Sequence, residues 1–194
     1  MALTFNGSNN TIGGVAVGGL PDGIVDTDMI ADNVVLAAKL ATTATSLAFM
    51  GTQANAQSIA GDSSWVTATG FTANSISANT GSSWNTTNGR FTVASGQEGI
   101  YILFGYTRIV DQHRWQFLHV GFKINGANPA HYSTQQSPYG GNAGVDVSNF
   151  NDHFYIKSLS VGDYVELGLW QNHGSALDTD PLNTSFGGYK IPLF

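Results

Sequence analysis

The chain has no cysteine, which removes disulfides, thiolate nucleophiles and thiolate metal ligands and leaves the redox compartment open. Charge is scarce as well: Asp, Glu, Lys and Arg make up 10% of 194 residues, against about 25% in an ordinary soluble domain. Gly, Ser, Thr and Asn supply the polar surface instead, a composition suited to an assembled or extracellular protein. Seven Lys and Arg and a net charge of −6 offer phosphate backbones little to hold, so neither nucleic acid nor membrane insertion is expected. No apolar run is long enough to cross a bilayer. The opening residues Met1 to Gly7 lack the basic start and apolar stretch of an export signal. If the protein works outside a cell, release inside a virus particle is one route that needs no such signal.

What is present falls into three parts. Residues 1–25 carry Gly13-Gly14, Gly18-Gly19 and Pro21-Asp22-Gly23 among scattered Ile12, Val15, Val17 and Leu20. Glycine at this density disfavours a packed helix and is expected to form an extended arm, either an anchor that orders on docking or a tail. From Thr27, the residues Ile30, Val34, Ala37, Ala41, Ala44 and Ala48 recur at spacings of four and three, the period of a helix capped by Thr27 or Asp28. Leu36, Leu40 and Leu47 widen that stripe. Such a helix packs in a trimer held together elsewhere, or covers the sandwich of its own chain. Residues 26–61 are therefore read as a short helical stalk followed by a polar linker over 49–62, with a head from 62 to 194.

After Trp65 the chain breaks into short strands with Gly, Asn, Ser or Pro about every ten residues, the pattern of an all-β sandwich. Leu118, Val120, Phe122 and Ile124 alternate with Phe117, His119, Gly121 and Lys123; Val165, Leu167 and Leu169 alternate with Tyr164, Glu166 and Gly168. Each set of alternate residues has one face to bury and one to present. Asn125-Gly126 and Ser160-Val161-Gly162-Asp163 supply turns.

In order along residues 65–194 stand Trp84-Asn85, Gly89-x-Phe91-x-Val93, Gly99-x-Tyr101-x-x-Phe104, a strand ending in Asn125-Gly126, Leu159-x-x-Gly162-Asp163-x-Val165-x-Leu167 and Phe186-x-Gly188-Tyr189. This ordered set resembles the globular head shared by the complement C1q and tumour necrosis factor superfamily. The resemblance implies a jelly-roll β-sandwich that trimerises and binds rather than catalyses. The aromatics Phe104, Tyr106, Trp115, Phe117, Tyr132, Phe154, Tyr155, Trp170 and Phe186 are many for one sandwich, and such an excess belongs to cores and to subunit interfaces alike. A second resemblance lies in Ile30-Ala31-Asp32-Asn33-Val34-Val35-Leu36-Ala37-Ala38-Lys39-Leu40-Ala41 after Leu20-Pro21-Asp22-Gly23. It is similar to a phrase that recurs in the stalks of bacteriophage tail fibres.

If successive strands reverse direction, the loops at 77–83, 107–115, 134–144 and 171–184 point away from the stalk, and those at 125–129 and 157–162 point toward it. The distal set gathers Arg108, Asp111, His113, Arg114, Trp115, Tyr139, His173, Asp178 and Asp180, the candidate receptor contacts, since Arg, Trp and Tyr dominate binding hot spots and aromatic faces stack on sugars. Asp178 and Asp180, with Asp146 or Asp152, are weak candidates for Ca²⁺; no other metal and no organic cofactor is expected. His119 and His153 fall in strands, where hydrogen-bonded burial or a subunit contact is expected. With no Gly-x-Ser-x-Gly elbow and no paired catalytic acids, hydrolysis has no specific support, and a glycan-degrading tail enzyme is disfavoured.

The expected function is therefore that of a non-enzymatic homotrimer at the surface of a phage virion. Residues 1–25 would dock onto capsid or tail proteins, and the head would bind a host surface glycan or protein. The alternative is a head fibre or capsid decoration protein without a specific ligand.

Overall fold

A computed structural model describes residues 4–6, 11–13, 47–75, 83–109, 117–136 and 150–192. The chain divides into two compact units, Met1–Ala44 and Thr45–Phe194. In the first, β1 (Thr4–Asn6) and β2 (Thr11–Gly13) pair antiparallel. The segment expected to be an extended arm thus holds a short two-stranded ladder. The helix expected from Thr27 lies outside the described residues up to position 46. Its last two positions are not helical: Leu47 is buried in the core and Ala48 opens a strand.

The second unit is a sandwich of two antiparallel sheets. Sheet I has the order β12 (Phe150–Leu159), β9 (Gly99–Arg108), β15 (Ser185–Lys190), β3 (Ala48–Gln53), β6 (Phe71–Ala73). Sheet II runs β11 (Tyr132–Gln136), β10 (Phe117–Ile124), β13 (Tyr164–Gln171), β8 (Arg90–Thr92), β7 (Trp84–Asn85), and β5 (Val66–Thr67) also pairs with β13. A small ladder of β4 (Ser58–Ile59) with β14 (Leu177–Asp178) completes the described strands.

The head therefore begins near Leu47, not at residue 62, and the segment taken as a linker is its first strand. The reason is β3, which pairs with β15 from Ala48↔Tyr189 to Thr52↔Ser185. Its inward positions are Phe49, Gly51 and Gln53, so only one large apolar side chain marks it as a core strand.

Across the sandwich, Phe49 of sheet I stacks on Phe91 of sheet II with centroids 4.1 Å apart and planes 3° from parallel. Phe186 meets Phe49 edge-on at 5.2 Å, and Trp84 and Phe71 close the cluster. Leu103, Leu118, Val120, Val165, Leu167 and Leu169 fill the rest of the core, all fully buried. The inward residues of β10 and β13 are those expected from their alternation.

Strand directions fix two ends. Ala48, Gly99, Ile124, Leu159, Tyr164 and Lys190 lie at the entry end; Gln53, Arg108, Phe117, Phe150, Gln171 and Ser185 lie at the far end. The segments 110–116, 137–149 and 172–184 are anchored at the far end, as the alternation of strand directions requires. The one at 77–83 is not. β6 runs back against β3, Asn74 donates its backbone N–H to Met50, and Thr92 donates to Ser83 at the start of β7. The anchors of that segment therefore face the entry end, because two very short strands escaped the count.

Candidate functional site

Both faces of sheet I are apolar. On β12 the residues Asn151, His153, Tyr155 and Leu159 turn toward sheet II, leaving Phe150, Phe154 and Ile156 outside. Phe154 is 67% exposed and Ile156 64%. Opposite them on β9 stand Phe104 and Ile102, and beyond these, on β15, Gly187 and Tyr189. The Phe104 ring lies so close over Gly187 that a β-carbon there would sit 2.6 Å from it. Without that side chain the surface stays flat, and the apolar strip continues across three strands to Met50 and Ala48 on β3. Single exposed apolar residues are ordinary, but a contiguous exposed strip marks an interaction surface.

Of the eight described aromatics named as core or interface candidates, only Phe186 belongs to the buried core. Phe104, Tyr106 and Phe154 face outward on sheet I. Phe117, Tyr132 and Trp170 face outward on sheet II, and Tyr155 packs against the core from the β11–β12 edge. Trp115 lies outside the described residues.

The far end is knitted by buried polar side chains. The Gln53 Nε2 donates to Gln57 Oε1 and to the carbonyl of Thr69, both at 3.0 Å, and the Gln57 N–H donates to Thr179 Oγ1 at 2.9 Å. Gln171, fully buried, donates through Nε2 to the carbonyls of Ile59 and Ser175 and accepts from the His173 N–H. These bonds satisfy groups that would otherwise be buried without partners, and they hold the 172–184 segment against 54–64.

Among the expected receptor contacts, Arg108 and Asp180 are brought together. The Arg108 Nη1 donates to Asp180 Oδ2 at 3.1 Å, and its guanidinium stands 5.9 Å from the centre of the Phe150 ring. Asp180 also accepts from the Leu182 N–H and Asn183 Nδ2, capping a short 3-10 turn at Pro181–Asn183. Its oxygens are thus occupied by three donors, one of them cationic, which is the wrong setting for Ca²⁺. Asp178 is exposed on β14, and among the described residues no three His, Asp or Glu side chains converge as a metal cage. His173 sits half-buried beside the Gln171 clamp. Asp111, His113, Arg114, Trp115 and Tyr139, like Asp146, lie outside the described residues.

At the edge where β11 and β12 meet, His153 packs between the Phe122 and Tyr155 rings, with its Nε2 buried and without a partner. Burial first, then the nearby His131, hold its pKa below the ordinary value, with Asp152 opposing. On sheet II burial lowers His119 too. An unfolded chain takes up these protons below about pH 6.5 while the folded one refuses them. Stability is therefore expected to be fully present above that pH and to fall as the pH drops through the lowered folded values. Thermal melts from pH 7.5 to 5 should show this decline, and His153→Gln should flatten it; an unchanged slope in the variant contradicts the assignment.

No family model and no curated protein matches the chain. Among solved structures, Eiger, a tumour necrosis factor from S. frugiperda, superposes with a TM-score of 0.52 at 16% identity, covering 76% of this chain and 94% of that one. Murine APRIL at pH 5.0 gives 0.52 at 15% identity, over 76% and 100%. The globular domain of zebrafish complement 1qA protein superposes at 0.46 with 17% identity, over 75% and 97%. The described strands of the second unit form the two-sheet jelly roll of the Eiger and APRIL structures. In this jelly roll the Gly89 to Phe104 signature does two things: Phe91, Val93, Tyr101 and Leu103 build the core, while Ile102 and Phe104 face outward into the apolar strip. Sequence reasoning passed over Phe150, Ile156 and Tyr189, although apolar residues on both alternating sets of β12 were a readable sign of a strand covered on both faces.

Proposed function

We propose that the chain is a non-enzymatic, homotrimeric recognition head of a bacteriophage virion appendage, exposed at the particle surface. The observation that carries the trimer is the apolar strip of Phe154, Ile156, Phe104, Ile102 and Tyr189 on the outside of sheet I. Its occupant is a second and a third copy of this chain. The ten-residue strand β12 supports this reading: among the described residues it pairs only with β9, and it carries Phe154 and Ile156 on its outer face, which invites aggregation unless a neighbour covers it. The phage setting is supported by the stalk-like phrase from Ile30 to Ala41, and residues 1–25 are assigned to docking on capsid or tail proteins. Three copies on one particle-bound trimer make weak single sites sufficient for holding a host surface glycan or protein.

A second reading is favoured by one observation. Arg108 and Asp180 spend their charges on each other and on the Pro181–Asn183 turn, so the far end holds fewer free polar contacts than its composition promises. A head fibre or capsid decoration protein has no need of such contacts.

Fluorescently labelled protein applied to the bacterial host separates the two. Cell labelling that fades when unlabelled protein is added supports recognition. Absence of labelling, with the protein in high copy over purified capsids, supports decoration.

A further inference from the structure

We infer that the outer face of sheet II carries a binding site for a neutral oligosaccharide, built on Trp65, Tyr132, His119 and Trp170. It deepens the recognition-head reading and rests on it for its ligand's origin. The site lies on the opposite sheet from the apolar strip assigned to copies of the chain.

The geometry is that of a ring ladder. His119 of β10 stacks on Trp170 of β13 at 4.2 Å and 20°, and on Tyr132 of β11 at 4.6 Å and 12°, so three neighbouring strands each contribute one ring. Trp65 meets the Tyr132 ring at 5.5 Å and 63°, forming a corner with it. It lies close over Gly168, where an added β-carbon would come within 3.2 Å of its ring. The buried core includes none of these four residues. Tyr132 remains 45% exposed although it is the outermost ring of the ladder.

The rings are fixed in advance of any ligand. The Trp170 indole N–H donates to the carbonyl of Ser63 in the segment that carries Trp65, and stacking locks His119 from both sides. Fixed aromatic faces cost little ordering entropy on binding. On the same outward rows Glu166 receives Arg90 at 2.8 Å, and Lys123, opposite Glu166 in the strand register, donates to Thr67 Oγ1 at 3.0 Å.

What is left between these groups is an aromatic surface, with Lys123 held by Thr67 at its border. A pyranose matches it, with C–H faces for the rings and hydroxyls for the solvent. A quaternary ammonium needs several rings closing around one point, whereas these rings form a ladder whose exposed end is Tyr132.

The test uses the full chain, with the tryptophan indole N–H signals followed by NMR during titration with maltohexaose, cellohexaose and chitohexaose, and with choline in parallel. At least one hexasaccharide is expected to move the Trp65 and Trp170 signals and leave that of the core residue Trp84 in place. Tyr132→Ala, exposed and outside the core, should weaken that binding about tenfold or more while the rest of the spectrum is preserved. Unmoved signals with all three sugars, an unchanged affinity in Y132A, or a response to choline alone would overturn the site. A protein that labels host cells yet ignores every sugar defeats this site and leaves the recognition reading standing; one that binds sugar through Tyr132 and labels no cell supports the site and defeats that reading.

Discussion

Phe154→Asp is expected to yield folded single chains, in contrast to the trimer proposed for the unaltered protein. The side chain is 67% exposed on β12 and contributes nothing to the core of its own chain, so the substitution leaves the sandwich intact. In the proposed trimer the same position would be covered, and an uncompensated carboxylate beside Phe104 would then stand in a low-dielectric contact. Central aromatic anchors are worth about 2 kcal/mol or more, roughly a 30-fold loss for each interface, and a buried unpaired charge adds to that. Light scattering should report the mass of one chain for F154D, with circular dichroism unchanged. A variant that stays trimeric would place the interface elsewhere.

Phe91→Ala should do the opposite, and damage the fold itself. The Phe91 ring is fully buried, lies flat on Phe49 across the sandwich and touches Tyr101 at 5.5 Å. Truncating a buried phenylalanine costs about 3–5 kcal/mol through lost burial and the cavity left behind, a large share of the roughly 5–15 kcal/mol that holds a domain together. A fall in Tm of about 10 °C or more is expected for a sandwich of this size, read by differential scanning calorimetry at fixed protein concentration. A shift within a few degrees would mean that the two sheets are not joined through this stack.

These paired expectations follow from which parts of the fold could be read in advance. β10 and β13 were legible because their alternate residues differ in polarity, β9 through its Gly99-x-Tyr101-x-x-Phe104 motif, and the turn through Asn125-Gly126, whose residues both sit in the left-handed region, at φ 52° and 77°. β3 was not. Its inward Gln53 is a buried polar residue made acceptable by Thr179, 126 positions away, and a partnership of that length leaves no local trace. The same holds for Arg108 and Asp180, 72 positions apart. They read as free loop charges in sequence and serve in the structure to tie the end of β9 to the turn before β15. The candidate interface on β12 was half legible: Phe154 and Tyr155 were singled out and Phe150 was not, and apolar residues on both alternating sets gave no sign of which one faced the core.

The central claim is that sheet I meets copies of its own chain. Sedimentation equilibrium of the full-length protein at micromolar concentration tests it most directly. The predicted mass is that of three chains of 20.5 kDa, held without dependence on concentration across the range. A single-chain mass throughout that range, in a protein that stays soluble with the strip of Phe154, Ile156 and Tyr189 uncovered, would contradict it.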